Sequence, residues 1–165
     1  MNDDSTLPQN KIIASEQLYS KAVSLILASA QRELLIFDQD LSRGDFCSLY
    51  NSNLLQQFFT KTPTSHLTII LQDTNFVKEK CPRLINLLSI FGHKMSIYET
   101  NLSAKHIKDC FVIADAQHYI NRIHINQARF KYGLSDTENI GIFKLRFQEL
   151  LGMTKDMITI TKLGL

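Results

Sequence analysis

NLSAKHIKDCFVIAD, residues 101–115, decides how the chain is read. A polar stretch carrying Lys105, His106 and Lys108 runs into the apolar residues 110–114 and stops at Asp115. A short apolar run closed by an acid reads as a buried strand. In an extended chain side chains alternate between faces, so His106 and Lys108 share one. An imidazole can attack phosphorus, and an ammonium can steady charge on the phosphoryl oxygens. The pair therefore suits phosphodiester chemistry.

Upstream, three helix–strand units lead to this stretch. Leu18, Ala22, Leu25, Ile26 and Ala30 recur at spacings of three and four, which predicts a helix from a Ser15 cap to about Ala30. ELLIFD, residues 33–38, is the first strand. Asn51 or Ser52 caps a second helix carrying Leu54, Leu55, Phe58 and Phe59, which ends before Pro63. HLTIILQD, residues 66–73, is the second strand, and its β-branched residues favour that state. A loop through Pro82 leads to a third helix with Leu84, Leu87, Leu88 and Phe91, closed by Gly92, and MSIYET, residues 95–100, is the third strand. This alternation predicts an α/β fold with a mixed, mainly parallel sheet covered by helices.

Downstream, HYINRI follows residues 110–115 after only Ala116 and Gln117, which predicts a hairpin. ARFKYGL, residues 128–134, adds a further strand. Ser135 and Glu138 fit a capping box for a helix over 137–151, with Ile140, Phe143, Phe147, Leu150 and Leu151 inward. ITITKL, residues 158–163, alternates like an edge strand. Residues 1–11 read as a flexible polar tail and residues 12–165 as one domain.

Composition narrows the classes. The chain has 165 residues, 44% of them hydrophobic, enough for a real core. Its net charge of +2 announces no polyanionic partner, so any basic site must come from local clustering. The apolar runs are too short to span a bilayer and the acidic start is no signal peptide, which points to the cytoplasm. Three scattered cysteines, Cys47, Cys81 and Cys110, form no CxxC pair and read as reduced structural thiols. Neither a Gly-rich phosphate loop nor a GxSxG elbow is present.

The stretch at 101–115 resembles the motif of the phospholipase D superfamily: His-x-Lys, four residues, then Asp, at the start of a strand late in each half-domain. Here His106 and Lys108 are followed by Asp115, with six residues between Lys and Asp. The two extra residues keep strand parity but displace the acid by ~6.6 Å. In the other register Asp115 keeps the acid's place, and Lys108 and Cys110 fall at the His and Lys positions. The family's Gly-Ser-x-Asn stretch has no counterpart in NRIHINQA, residues 121–128. The resemblance implies a phospholipase D-like half-domain that completes its site with a second copy or a partner half-domain. It also implies His106 as nucleophile, Lys108 as phosphate binder and Asp115 as acid, if catalysis survives. The eroded motif points instead to a non-catalytic binding or assembly module; the alternative is a dimeric phosphodiesterase or nuclease.

A second cluster surrounds the motif. Arg122, His124 and Asn126 alternate, and with Lys105, Lys108, Arg129 and Lys131 they predict an anion pocket for a phosphate-containing ligand or nucleic acid. Tyr119, Phe130 and Tyr132 lie among them and would permit base stacking. Asp38, Asp40, Asp45, Asp73 and Glu99 lie at or near strand ends, where acids commonly mark the exit to water. No spacing of histidines reads as a metal site, and no cofactor is expected.

Overall fold

The computed structural model describes residues 7–159. A short strand β1 (Ile13–Ala14) precedes α1 (Glu16–Ser29), β2 (Glu33–Asp38), α2 (Leu49–Lys61) and β3 (His66–Leu71). Two short helices follow, α3 (Asn75–Lys80) and α4 (Pro82–Ile90), then β4 (Met95–Thr100). The chain continues through β5 (Cys110–Ala114), β6 (His118–His124), β7 (Gln127–Gly133), α5 (Thr137–Leu151) and β8 (Thr154–Met157).

The eight strands of the described residues form one sheet in the order β1-β7-β6-β5-β2-β3-β4-β8. The α/β class holds, but parallel pairing is confined to β2–β3 and β3–β4. The other five interfaces are antiparallel, which corrects the mainly parallel expectation. Helical crossovers produce the parallel pairs. After β4 the chain returns without a long helix, enters β5 beside β2 in the opposite direction, and builds antiparallel hairpins outward.

The two sheet faces bury different cores. Leu34, Ile36, Val112, Ile120 and Phe130 face the helices before β4, chiefly through Tyr19, Val23, Ile26, Phe58 and Phe59. Leu35, Phe37, Phe111 and Ile113 face α5 through Ile140, Phe147 and Leu150. Alternation along the strands sorts the side chains between these layers.

Ser15 caps α1 as expected, accepting the Leu18 N–H at 3.1 Å. The buried stripe also includes Tyr19, Val23 and Leu27, while Leu25 turns to solvent. Ser48, not Asn51 or Ser52, caps α2; Asn51 instead bonds Ser24 and the Asp45 carbonyl from inside. Pro82 opens α4 rather than lying in a loop, because a first-turn residue needs no N–H partner. Asp136, not Ser135, caps α5. Residues 7–11 are not a free tail: the Tyr132 hydroxyl donates to the Leu7 carbonyl at 2.6 Å, and the Asn10 N–H donates to the Tyr132 carbonyl at 2.8 Å. β8 lies just before the expected edge strand, whose residues 160–163 fall outside the described residues.

The cysteines depart from expectation. Cys47 and Cys81 form a disulfide, with Cα atoms 5.4 Å apart across 34 residues of sequence. The loop after β2 folds back over the α3–α4 junction, a contact that linear spacing does not reveal. Cys110 alone is free, and it is buried as expected.

Candidate functional site

The loop 101–109 links β4 to β5 by crossing the carboxyl ends of β3 and β2. Ligands of open α/β sheets bind at that edge. Gln72, just past β3, holds the loop in place. Its amide donates to the Ala104 and Ile107 carbonyls, both at 3.0 Å, and its oxygen accepts from Thr100 at 2.9 Å. Lys105 donates to the Gln72 carbonyl and lies 3.7 Å from Glu99. Glu99 also meets Lys155 at 3.1 Å and accepts from the Thr74 hydroxyl at 2.7 Å. Burial opposes its charge, but Thr74, Lys155 and Lys105 together hold its carboxyl down at about 2. His106 and Lys108 are exposed on this pinned loop.

Beneath them the sheet edge is filled. Register places Asp38, Cys110 and Arg122 in a row across β2, β5 and β6, on the α1 face. Arg122 is 1% exposed and grips Glu16 with two hydrogen bonds, of 2.6 and 2.7 Å. Its guanidinium lies 4.9 Å from the centre of the Tyr19 ring. The Tyr19 hydroxyl meets the Cys110 sulfur at 4.0 Å, and Asp38 lies across from Cys110 on the neighbouring strand. Asp38 accepts the Leu41 and Asp40 N–H groups at 2.7 and 3.2 Å.

Burial pushes the Cys110 thiol and the Tyr19 phenol well up, with Asp38 adding to both, so neither is a ready anion. Burial also raises Asp38, against the pull of the Leu41 N–H. The Arg122 hydrogen bond lowers Glu16. The space left between Asp38, Arg43, Cys110 and Arg122 is only about 10 Å³. That is at or below what one water needs, so a phosphoryl group does not fit.

The loop over this network is tightly wound. Leu41, Gly44 and Asp45 have φ of 68°, 85° and 55°. A Cβ on Gly44 would come within 3.0 Å of the Tyr19 and Phe46 rings. Gly44 therefore allows the loop to close down on Tyr19.

The expected site residues divide. Lys105, His106 and Lys108 lie together on the loop. Asp115 lies at the far end of β5, about 16 Å beyond Cys110 at the usual strand rise. Its carboxylate accepts the N–H groups of Gln31, Arg32 and Glu33 at 2.7–2.9 Å. That is the work of a turn-fixing residue, not of an acid beside His106. The anion pocket does not assemble either. Arg122 is committed to Glu16, and the His124 Nδ1 accepts the Asn126 N–H at 3.1 Å. Arg129 is exposed on the opposite face from Arg122, which pairs across with Phe130. Tyr119, Phe130 and Tyr132 are core residues, so they offer no stacking surface. Among the described residues no His, Cys, Asp or Glu cluster is arranged to hold a metal ion.

Glu16, Tyr19 and Gln72 were not legible as site residues. Glu16 reads as a first-turn acid and Tyr19 as core; only the strand register brings them under the motif.

The other end of the sheet is open. A concavity of about 720 Å³ lies among Arg32, Glu33, the turn 115–118 and Lys144.

A family model described as a domain of unknown function, DUF7931, matches residues 15–151. No curated protein matches the chain. Solved structures resemble it too, among them the following three. TrmBL2, an archaeal chromatin protein whose structure shows a novel mode of DNA binding, is 12% identical with a TM-score of 0.65 over 92% of this chain and 56% of its own. The chain thus spans little more than half of that protein. NucT from Helicobacter pylori is 13% identical with a TM-score of 0.58, over 87% of this chain and 96% of its own. Nuc from Salmonella typhimurium, a phospholipase D family member, is 11% identical with a TM-score of 0.59, over 88% and 95%. At these identities the likeness is one of fold, and the fold is phospholipase D-like. No described helix is long and apolar enough to cross a membrane.

Proposed function

We propose, from the premise that this chain belongs to the DUF7931 family, that it is a non-catalytic phospholipase D-like module that binds a phosphodiester-bearing ligand. One observation carries the reading: the sheet edge below His106 and Lys108 is plugged by the Glu16–Arg122–Tyr19–Cys110–Asp38 network, with about 10 Å³ left. A nucleophilic His needs its phosphorus within contact distance and cations around the oxygens. Here the nearest buried cation, Arg122, is already bonded to a carboxylate.

Binding falls to the exposed loop side chains of His106 and Lys108, with Lys105 fixing the loop. The DNA binding stated for TrmBL2 supports nucleic acid as the ligand class. Salt-sensitive retention of duplex DNA that drops in Lys108→Ala is the expected result. Retention that ignores Lys108→Ala and salt overturns the assignment. Assembly with a second copy is part of the proposal, supported by the half-domain plan; sedimentation as a monomer at high concentration removes it. The cysteines were expected to be reduced thiols, as in the cytoplasm, and the Cys47–Cys81 disulfide favours an oxidising environment instead.

A further inference from the structure

We infer that the concavity at the amino ends of β2 and β3 is a second site, for a small molecule carrying a phosphate group. Its volume, about 720 Å³, lies in the range of small-molecule pockets. Its floor is the turn joining β5 to β6, where the Gln117 N–H donates to the Ala114 carbonyl at 3.0 Å. Asp115 and Ala116, the two central residues, have φ of 56° and 53°. Asp tolerates that conformation, whereas Ala is strained in it. Strained backbone persists only where its surroundings over-determine it, and such positions cluster at binding sites. Asp115 supplies that fixation by holding three consecutive N–H groups of the chain entering β2.

The unused bonding capacity here belongs to donors. The Asp115 carboxylate is occupied by those three N–H groups, and Glu33 lies 3.6 Å from Lys144. The His118 Nδ1 accepts the Ser135 N–H at 3.0 Å, which leaves its Nε2 to carry a proton into the concavity. Arg32 is exposed and its guanidinium has no hydrogen-bond partner among the described residues. Arg32, His118 and Lys144 come from three separate elements around one space. Three donors on different sides suit a phosphate, which presents three oxygens, better than a planar carboxylate. The lining is mainly polar and holds no Phe, Tyr or Trp, so the remainder of the ligand is polar too.

The site is separate from the loop 101–108 and does not depend on its binding DNA. Backbone amide NMR of the full chain tests it, titrated first with inorganic pyrophosphate and then with a short DNA duplex. Saturable shifts at residues 31–33, 115–118 and 144 with pyrophosphate support a small phosphorylated ligand. Shifts there with duplex alone overturn the small-molecule site and assign this face to a polymer. Arg32→Ala and Lys144→Ala should each weaken binding about tenfold, the loss of one charge-assisted hydrogen bond, while Lys108→Ala leaves it unchanged. No saturable shift at these residues with either probe, or affinity unaltered in Arg32→Ala, overturns the inference.

Discussion

The two ends of the sheet were treated differently by the same chain. At the carboxyl ends of the parallel strands, where this fold class binds its ligands, ion pairs and aromatic rings fill the space. At the amino ends a strained turn, His118, the Glu33-paired Lys144 and the guanidinium of Arg32, free among the described residues, surround open volume. One edge has its cation satisfied from within, and the other has its acids satisfied from within. A carboxylate bonded to the protein's own amides, like a guanidinium bonded to its own carboxylate, is structural. The groups left over define what each end can still bind.

The largest effect should come from the rim of the closed end. Cys47→Ser with Cys81→Ser frees a 34-residue span, and loop entropy predicts a loss of about 4 kcal/mol in chemical denaturation. An unchanged midpoint would show that the loop is held without the disulfide. Glu16→Ala should cost about 2 kcal/mol, because it leaves the buried Arg122 charge unpaired; the exposure of Glu16 keeps the cost below that of a fully buried pair. Arg122→Met should cost less, since it removes the charge instead of stranding it. If Arg122→Met proves the worse of the two, the network contributes more than the removal of a desolvated charge.

At the open end, Asp115→Ala releases three N–H groups, two of them exposed, and should cost about 1–2 kcal/mol. A catalytic acid remote from the fold's hydrogen bonds would show almost no stability change. The smallest effect is electrostatic and returns to the closed end. Glu99 is held at about 2, below its usual 4.5, so its carboxylate stabilises the folded state at neutral pH. That contribution, of order 1–2 kcal/mol, is lost as pH falls from about 4.5 towards 2. Glu99→Gln should flatten stability over that window; an unaltered profile would remove Glu99 as the clamp on the loop.

Much of the fold was legible because hydrophobic period reports burial directly. ELLIFD, HLTIIL and MSIYET each read as a strand, and Ser15 read as a cap from its place before an apolar stripe. The pairing of β5 against β2 was not legible, since strand direction depends on a return path and not on local pattern. The motif residues His106 and Lys108 were legible as a pair, but their setting was not. Arg122 looked like a free cation because Glu16 is 106 residues away in sequence. Asp115 looked like a displaced catalytic acid because its partners, the amides of residues 31–33, carry no side-chain signature. Cys47 and Cys81 looked unrelated for the same reason.

The closure of the carboxyl-end site is tested most directly by turnover. Wild-type protein and His106→Ala, at high concentration and as the full chain, are incubated with bis(p-nitrophenyl) phosphate and with duplex DNA. The plugged edge predicts that neither protein releases product above background, although wild type retains the DNA. Hydrolysis by wild type that disappears in His106→Ala would contradict it, and would place the chain among the working phosphodiesterases of its fold.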